Sequence, residues 1–308
     1  MNAIEIKNLT KSFGTAKAVN NVSFVIPENK VFGFLGPNGA GKTTTIRMIV
    51  GLSKPTEGEI RIAGEKVVFG QTSTNKYFGY LPEQPAFYNW MTGFEYLNFV
   101  AELFKINKKD RENRIDKLFK LVNLNQARNK RIGAYSNGMK QRLGIAQALI
   151  NEPKVLIMDE PVSALDPIGR REVLSVIEKL KEKTTILMST HILSDVDRIC
   201  DEIAIINNGK LVAVSALAEL KEKYATSILE IEFLKDPIEI IPKLKKESWV
   251  NKVEKNGNQV KIWPKDSNLL EKNIPLEFLI KQNIGILKYG LILPEMEDLF
   301  MDILKGDR

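Results

Sequence analysis

A chain of 308 residues with 44% hydrophobic and 27% charged side chains has enough apolar material to bury a core, as one large domain or two modest ones. No apolar run approaches the roughly 18 residues that a membrane helix needs, and a lone cysteine, Cys200, excludes an internal disulfide. The net charge of +7 is uneven: residues 105–142 hold twelve basic against three acidic side chains, whereas from 220 onward fifteen balance fifteen. That basic stretch, with Lys105, Lys108, Lys109, Arg111, Arg114, Lys117 and Lys120, reads either as a solvated helix face or as a surface for anionic lipid or nucleic acid. The first residues show no basic stretch followed by an apolar run, so no secretory signal is expected. Cys200 fits a reducing compartment and is expected to be a small buried hydrophobe.

In chain order, residues 31–35 read as a buried strand and 42–50 as the helix after it. Further strands are expected at 77–81, 155–158, 185–189 and 202–206, and helices at 93–104, 110–123, 138–150 and 168–182. The alternation predicts an α/β domain with a mainly parallel sheet, interrupted by a helical insertion from about 85 to 150. A second unit starts near 220. Strands at 227–233, 249–255, 259–263 and 285–291 and helices at 236–246 and 268–282 give the order βαββαβ of a ferredoxin-like fold, with Asn256 and Gly257 as a hairpin turn. The expected domains are 1–219 and 220–308.

The run Gly36, Pro37, Asn38, Gly39, Ala40, Gly41, Lys42, Thr43, continued by Thr44, matches a phosphate-binding loop in full, with an apolar strand before it and a helix after it. Its glycines let backbone N–H groups turn toward phosphates, and the helix N-terminus adds partial positive charge. Lys42 would neutralise the β- and γ-phosphates of ATP, and the Thr43 hydroxyl would ligate Mg²⁺. The strand Val155 to Met158 ends in Asp159 and Glu160. A carboxylate at a strand end beside such a loop can hold Mg²⁺, which falls to Asp159. Glu160 projects one residue further, where it can polarise a water for in-line attack.

Tyr135, Ser136, Asn137, Gly138 and Met139, followed by Lys140, Gln141 and Arg142, resemble the signature segment of ATP-binding-cassette (ABC) ATPases, 23 residues before Asp159. Ser136 is also a suitable N-cap. Ser163 to Asp166 is similar to that family's D-loop, and His191, the only histidine, stands 32 residues past Asp159 where the family has its switch histidine. The resemblance covers residues 1 to about 215. Residues 220–308, with the ending Leu293 to Phe300, resemble a C-terminal extension on cassettes of bacterial exporters, antibiotic-resistance exporters among them.

The resemblance implies a phosphate-loop ABC ATPase fold, ATP as substrate and Mg²⁺ as cofactor. It assigns Glu160, His191 and Glu83 to hydrolysis. It assigns Phe13, Gly36 to Thr44, Ser136, Gly138 and Asp166 to nucleotide contacts, Ser136, Gly138 and Asp166 acting across a pair of cassettes. Phe13 replaces the usual adenine-stacking tyrosine but keeps a ring face. Asn137 and Met139 replace Gly and Gln in the signature. Glu83 aligns with the Q-loop glutamine, with Gln84 beside it as the alternative. The implied partners are a second cassette, as a homodimer or a paired subunit, and separate integral membrane permease subunits. No nucleic acid is expected. The implied place is the inner face of the cell membrane, in the cytoplasm, held there by the permease. The competing reading is a soluble cassette acting on nucleic acid or ribosomes. The absence of a second cassette and of a long coiled coil weighs against it.

Overall fold

The computed structural model describes residues 2–223, 228–265 and 273–292, together with 297, 299, 300 and 303. The chain divides between Leu217 and Ala218 into two compact units. The first holds two sheets. One is antiparallel, with β1 (Asn2–Phe13), β2 (Ala16–Pro27), β4 (Glu57–Ile62) and β5 (Glu65–Lys66) in the order β2-β1-β4-β5. The other contains β3 (Val31–Leu35), β6 (Phe78–Leu81), β7 (Val155–Asp159), β8 (Thr185–Thr190), β9 (Glu202–Asn207) and β10 (Lys210–Ala216) in the order β10-β9-β3-β8-β7-β6. Only β10 runs antiparallel there.

Strands β3, β7 and β8 are buried at every position, as a parallel sheet covered on both faces requires. Phe24 of β2 stacks on Phe32 and Phe34 of β3, with centroids 5.5 and 5.4 Å apart, and so joins the two sheets in one core. Helices α1 (Lys42–Ile49), α5 (Pro167–Leu180) and α6 (Leu193–Ile199) follow β3, β7 and β8 respectively. Between β6 and β7 come α2 (Gly93–Leu103), α3 (Lys108–Leu121) and α4 (Asn137–Ala148), with two short 3-10 turns. A capping box between Thr92 and Glu95 starts α2, Asn107 caps α3 and Ser136 caps α4. Helix α7 (Leu217–Lys223) follows β10.

The second unit has β11 (Ile228–Phe233), α8 (Ile241–Leu244), β12 (Val250–Asn256), β13 (Gln259–Pro264), α9 (Ile274–Lys281) and β14 (Ile286–Ile292). Its antiparallel sheet is ordered β12-β13-β11-β14, the βαββαβ arrangement expected from the sequence. Leu229, Ile231 and Phe233 of β11 form its core with Leu244, Val260, Ile262 and Leu279.

Three features depart from the sequence expectation. The N-terminal antiparallel sheet was not anticipated, because Asn8 at φ 50° and the register shifts around Leu9 break the alternation that marks a strand. The helix expected at 236–246 is one turn, Ile241–Leu244, between Pro237 and the hinge into β12; Pro242 occupies its start. The helix expected at 268–282 is seen as α9, and residues 268–272, like most of Leu293 to Phe300, lie outside the described residues.

Strand β6 meets α4 at Gly79, where a Cβ would overlap the Ala148 carbonyl oxygen and the backbone around it. Backbone has no flexible end to yield. Gly79→Ala should therefore destabilise the protein by about 3 kcal/mol, read as a shifted urea midpoint; an unchanged midpoint would contradict this packing of α4 on β6.

Candidate functional site

The segment Gly36 to Gly41 turns from the end of β3 into α1. Gly41 sits at φ 108°, and a Cβ there would lie 2.5 Å from the Ala18 carbonyl oxygen, so no other residue fits. The Lys42 ammonium is buried. It donates to the carbonyls of Gly36 at 2.6 Å and Pro37 at 3.1 Å, and lies 3.2 Å from Glu160 Oε1. The loop and the strand ends opposite enclose a cavity of about 500 Å³ lined by Ala18, Asn38, Gly39, Gly41, Lys42, Thr43, Thr44, Glu83, Glu160, Ser163, Ala164 and His191.

Strand β7 delivers Asp159, buried to 1% exposure. Its Oδ1 accepts from the Thr43 hydroxyl at 3.2 Å and from the Ser189 hydroxyl at 2.6 Å. Ser189 also accepts from the Glu160 N–H at 2.9 Å, so one hydroxyl fixes both strand-end acids. The adjacent-strand pairing of Asp159 with Ser189 makes this possible. Glu160 leaves the strand at φ 47°, the left-handed region that non-glycine residues avoid. Its Oε2 lies 2.9 Å from His191 Nδ1, while its buried Oε1 makes no hydrogen bond. Tyr80 of β6 is pushed up to about 12, first by burial and then by the charge of Asp159, and stays a neutral phenol.

Thus Lys42, Thr43, Asp159, Glu160 and His191 meet as the sequence placed them, and Glu83 lines the same cavity while Gln84 does not. Pro37, Gly36 and Ala40 shape the loop without lining the cavity. Phe13 does not reach it: its ring is 58% exposed at the end of β1, with the Lys11 ammonium 4.9 Å from its centroid. Ser136, Gly138 and Asp166 are also outside the cavity. Ser136 accepts from the Met139 N–H at 3.2 Å, and Asp166 caps α5 through the Gly169 N–H at 3.1 Å.

Sequence reasoning gave no role to three supporting residues. Ser189 is one; its only signal was a place two residues before His191 on a buried strand. Gln141 of α4 donates to the Glu83 carbonyl at 2.8 Å and ties the signature helix to the segment bearing Glu83. Arg170 of α5 donates to Asp195 of α6 at 2.8 Å and to Ser194 at 2.8 Å, linking the helix after Asp166 to the helix after His191. Burial pushes the Asp195 carboxyl up, against the pull of Arg170. Cys200 is buried and its thiol is pushed up by burial, as befits a packing residue.

A phosphate loop at the end of a buried parallel strand, with paired strand-end acids opposite, defines an ATPase of the phosphate-loop class. The family described as ABC transporter matches residues 19–163. The chain is 46% identical over 228 residues to YxlF of Bacillus subtilis, an uncharacterized ABC transporter ATP-binding protein, covering 74% of this chain and 76% of that one. It is 35% identical over 306 residues to the bacitracin transport ATP-binding protein BcrA of Bacillus licheniformis, covering 98% and 97%. Among solved structures, an ATP-binding subunit of an ABC transporter aligns with a TM-score of 0.65 at 32% identity, over 72% of this chain and 93% of that one. The dimeric bacterial ABC transporter cassette MJ0796 aligns with a TM-score of 0.63 at 27% identity, over 70% and 98%. The chain belongs to the ABC transporter family, as an ATP-binding subunit that hydrolyses ATP.

Ser189→Ala leaves the Glu160 N–H without its acceptor and Asp159 with one hydroxyl fewer. The variant should lose about 1–3 kcal/mol of stability and turn ATP over more slowly. Calorimetry and a steady-state ATPase assay check both, and wild-type values in each would remove Ser189 from the site.

Proposed function

We propose that two copies of this cassette, or this chain and a paired cassette, close head to tail on two molecules of MgATP and thereby move separate integral membrane subunits. The direction proposed is export from the cytoplasm, with the chain held at the inner face of the membrane by those subunits. The single observation behind this is that Lys42, Thr43, Glu160 and His191 line one cavity, with Asp159 hydrogen-bonded to Thr43 at its edge, while Ser136, Gly138 and Asp166 do not line it. One chain supplies the phosphate cradle and the acids; the signature residues of a second chain would complete the contacts. Likeness to a protein named for bacitracin transport favours export. Among the described residues no helix is long and apolar enough to cross a membrane, so the moving pore is assigned to other chains. The second unit, from 218 on, is proposed as an accessory domain outside the nucleotide site.

The residues suit Mg²⁺. The Thr43 hydroxyl and the buried Asp159 carboxylate stand within hydrogen-bond distance beside the phosphate cradle, a hard oxygen pair of the kind Mg²⁺ takes alongside phosphate oxygens and water. When bound, the ion would screen the charge of the β- and γ-phosphates. The loop N–H groups hold the phosphates, and Lys42 exchanges Glu160 for them as its counter-charge. Glu160, freed at Oε1 and aligned by His191 at Oε2, orients a water for in-line attack on the γ-phosphorus and accepts its proton. The bond to the bridging oxygen breaks, leaving ADP and phosphate. Glu83 lines the cavity and would meet the γ-phosphate, and the exposed ring of Phe13, outside the cavity, would stack on an adenine extending past it.

Glu160→Gln keeps the shape and loses the basicity. It should bind MgATP, slow hydrolysis by about a hundredfold or more, and elute as an ATP-dependent dimer in size-exclusion chromatography. Normal turnover by this variant would remove Glu160 from the role of base.

A further inference from the structure

Helix α2 ends at Leu103, and the chain turns through Phe104 and Lys105 into α3. At this corner Leu103 is 66% and Phe104 43% exposed. Lys105, at φ 57°, and Lys108 and Lys109 are exposed as well, and none of the three takes part in an ion pair among the described residues. Lys108 and Lys109 open α3, where the partial positive charge of the helix N-terminus opposes them. The one acid of that turn, Asp110, is engaged by the Asn107 side chain.

Four of the nine other basic residues of this region are taken up in ion pairs. Arg111 pairs with Glu102, Arg114 with Glu152 at 3.0 Å, Arg128 with Asp116 at 2.6 Å, and buried Arg142 with Glu172 at 3.0 Å. The three corner lysines thus have no ion pair among the described residues, and two of them sit in a helix turn where they cost stability, next to two large apolar side chains that the core does not cover. Single exposed apolar residues need no explanation. An adjacent pair flanked by three free ammoniums has the composition of a membrane-surface contact.

We propose that the α2–α3 corner docks directly on an anionic lipid surface, with Lys105, Lys108 and Lys109 among the phosphate headgroups and Leu103 and Phe104 at the acyl boundary. The lysines alone would suit a nucleic acid equally well, and Phe104 could stack on a base, but Leu103 gains nothing there. Lipid uses all five side chains. This contact goes beyond the proposed coupling to membrane subunits and is independent of ATP closure, since none of the five residues lines the nucleotide cavity.

The test is sedimentation of the full-length protein with vesicles of phosphatidylcholine containing phosphatidylglycerol, and with vesicles of phosphatidylcholine alone. The wild type should bind the anionic vesicles, lose binding as salt rises, and bind the neutral ones weakly. The triple substitution Lys105→Glu, Lys108→Glu, Lys109→Glu should lower the partition about tenfold or more. Leu103→Ser with Phe104→Ser should lower it about fivefold. ATPase rate and ATP-dependent dimerisation should stay at wild-type level in both variants, which separates this contact from the transport reading. Equal binding to neutral vesicles, no binding by the wild type, wild-type binding by either variant, or release of the protein from vesicles by a single-stranded RNA oligonucleotide would each overturn the proposal.

Discussion

Leu35 pairs with Thr190, and Asp159 with Ser189, across three parallel strands. That register brings the carboxyl ends of β3, β8 and β7 level, so the phosphate loop, His191 and the two acids emerge side by side. A slip of one residue would turn Asp159 to the other face and replace the Ser189 hydroxyl beneath it. Each strand is buried along its whole length and apolar through its middle, so the register is held by core packing, and only the polar residues at the strand ends belong to the site. The chemical groups occupy the carboxyl ends of the strands and the residues just after them, the usual place for ligands in open α/β sheets.

Two costs are stored at these strand ends. Glu160 sits in the left-handed region, which for a residue other than glycine costs about 1–3 kcal/mol. Its N–H bond to Ser189 and the Ser163 N–H on its carbonyl hold it there. Lys42 and Glu160 are both withdrawn from water and lie 3.2 Å apart. A buried pair of this kind adds little net stability, but neither charge tolerates losing the other. A polyphosphate entering the loop offers Lys42 a denser negative charge. In the proposed cycle, that exchange lets Glu160 turn from structural counter-ion to base.

Much of this was legible in the sequence, for a physical reason. Backbone around a phosphate can be built in few ways, so Gly36 to Thr43 leaves a dense local pattern, and with that loop upstream an apolar strand ending in Asp159 and Glu160 gains a meaning it would not have alone. Residues whose role depends on register or on helix packing left no such trace. Ser189 reads as an ordinary strand residue until β7 is laid beside β8. Gln141 and the Arg170–Asp195 link exist only once α4, α5 and α6 are packed. The N-terminal sheet escaped because bulges at Asn8 and Leu9 break its alternation. The excess charge of residues 105–142 was visible, but which of its side chains form ion pairs was not. Composition counts charges without showing which are neutralised.

The signature residues Ser136 and Gly138 sit at the start of α4, and Asp166 at the start of α5, all outside the cavity of their own chain. On the proposed reading each nucleotide site is shared between two chains, and complementation tests this most directly. Lys42→Ala disables the phosphate loop and Ser136→Arg blocks the signature segment, so each variant alone should be inactive in ATP hydrolysis. When the two are mixed, half of the dimers would pair one intact loop with one intact signature, and activity should return to about a quarter of the wild-type rate. An inactive mixture of folded, dimerising variants, or full activity of Ser136→Arg by itself, would contradict the shared site.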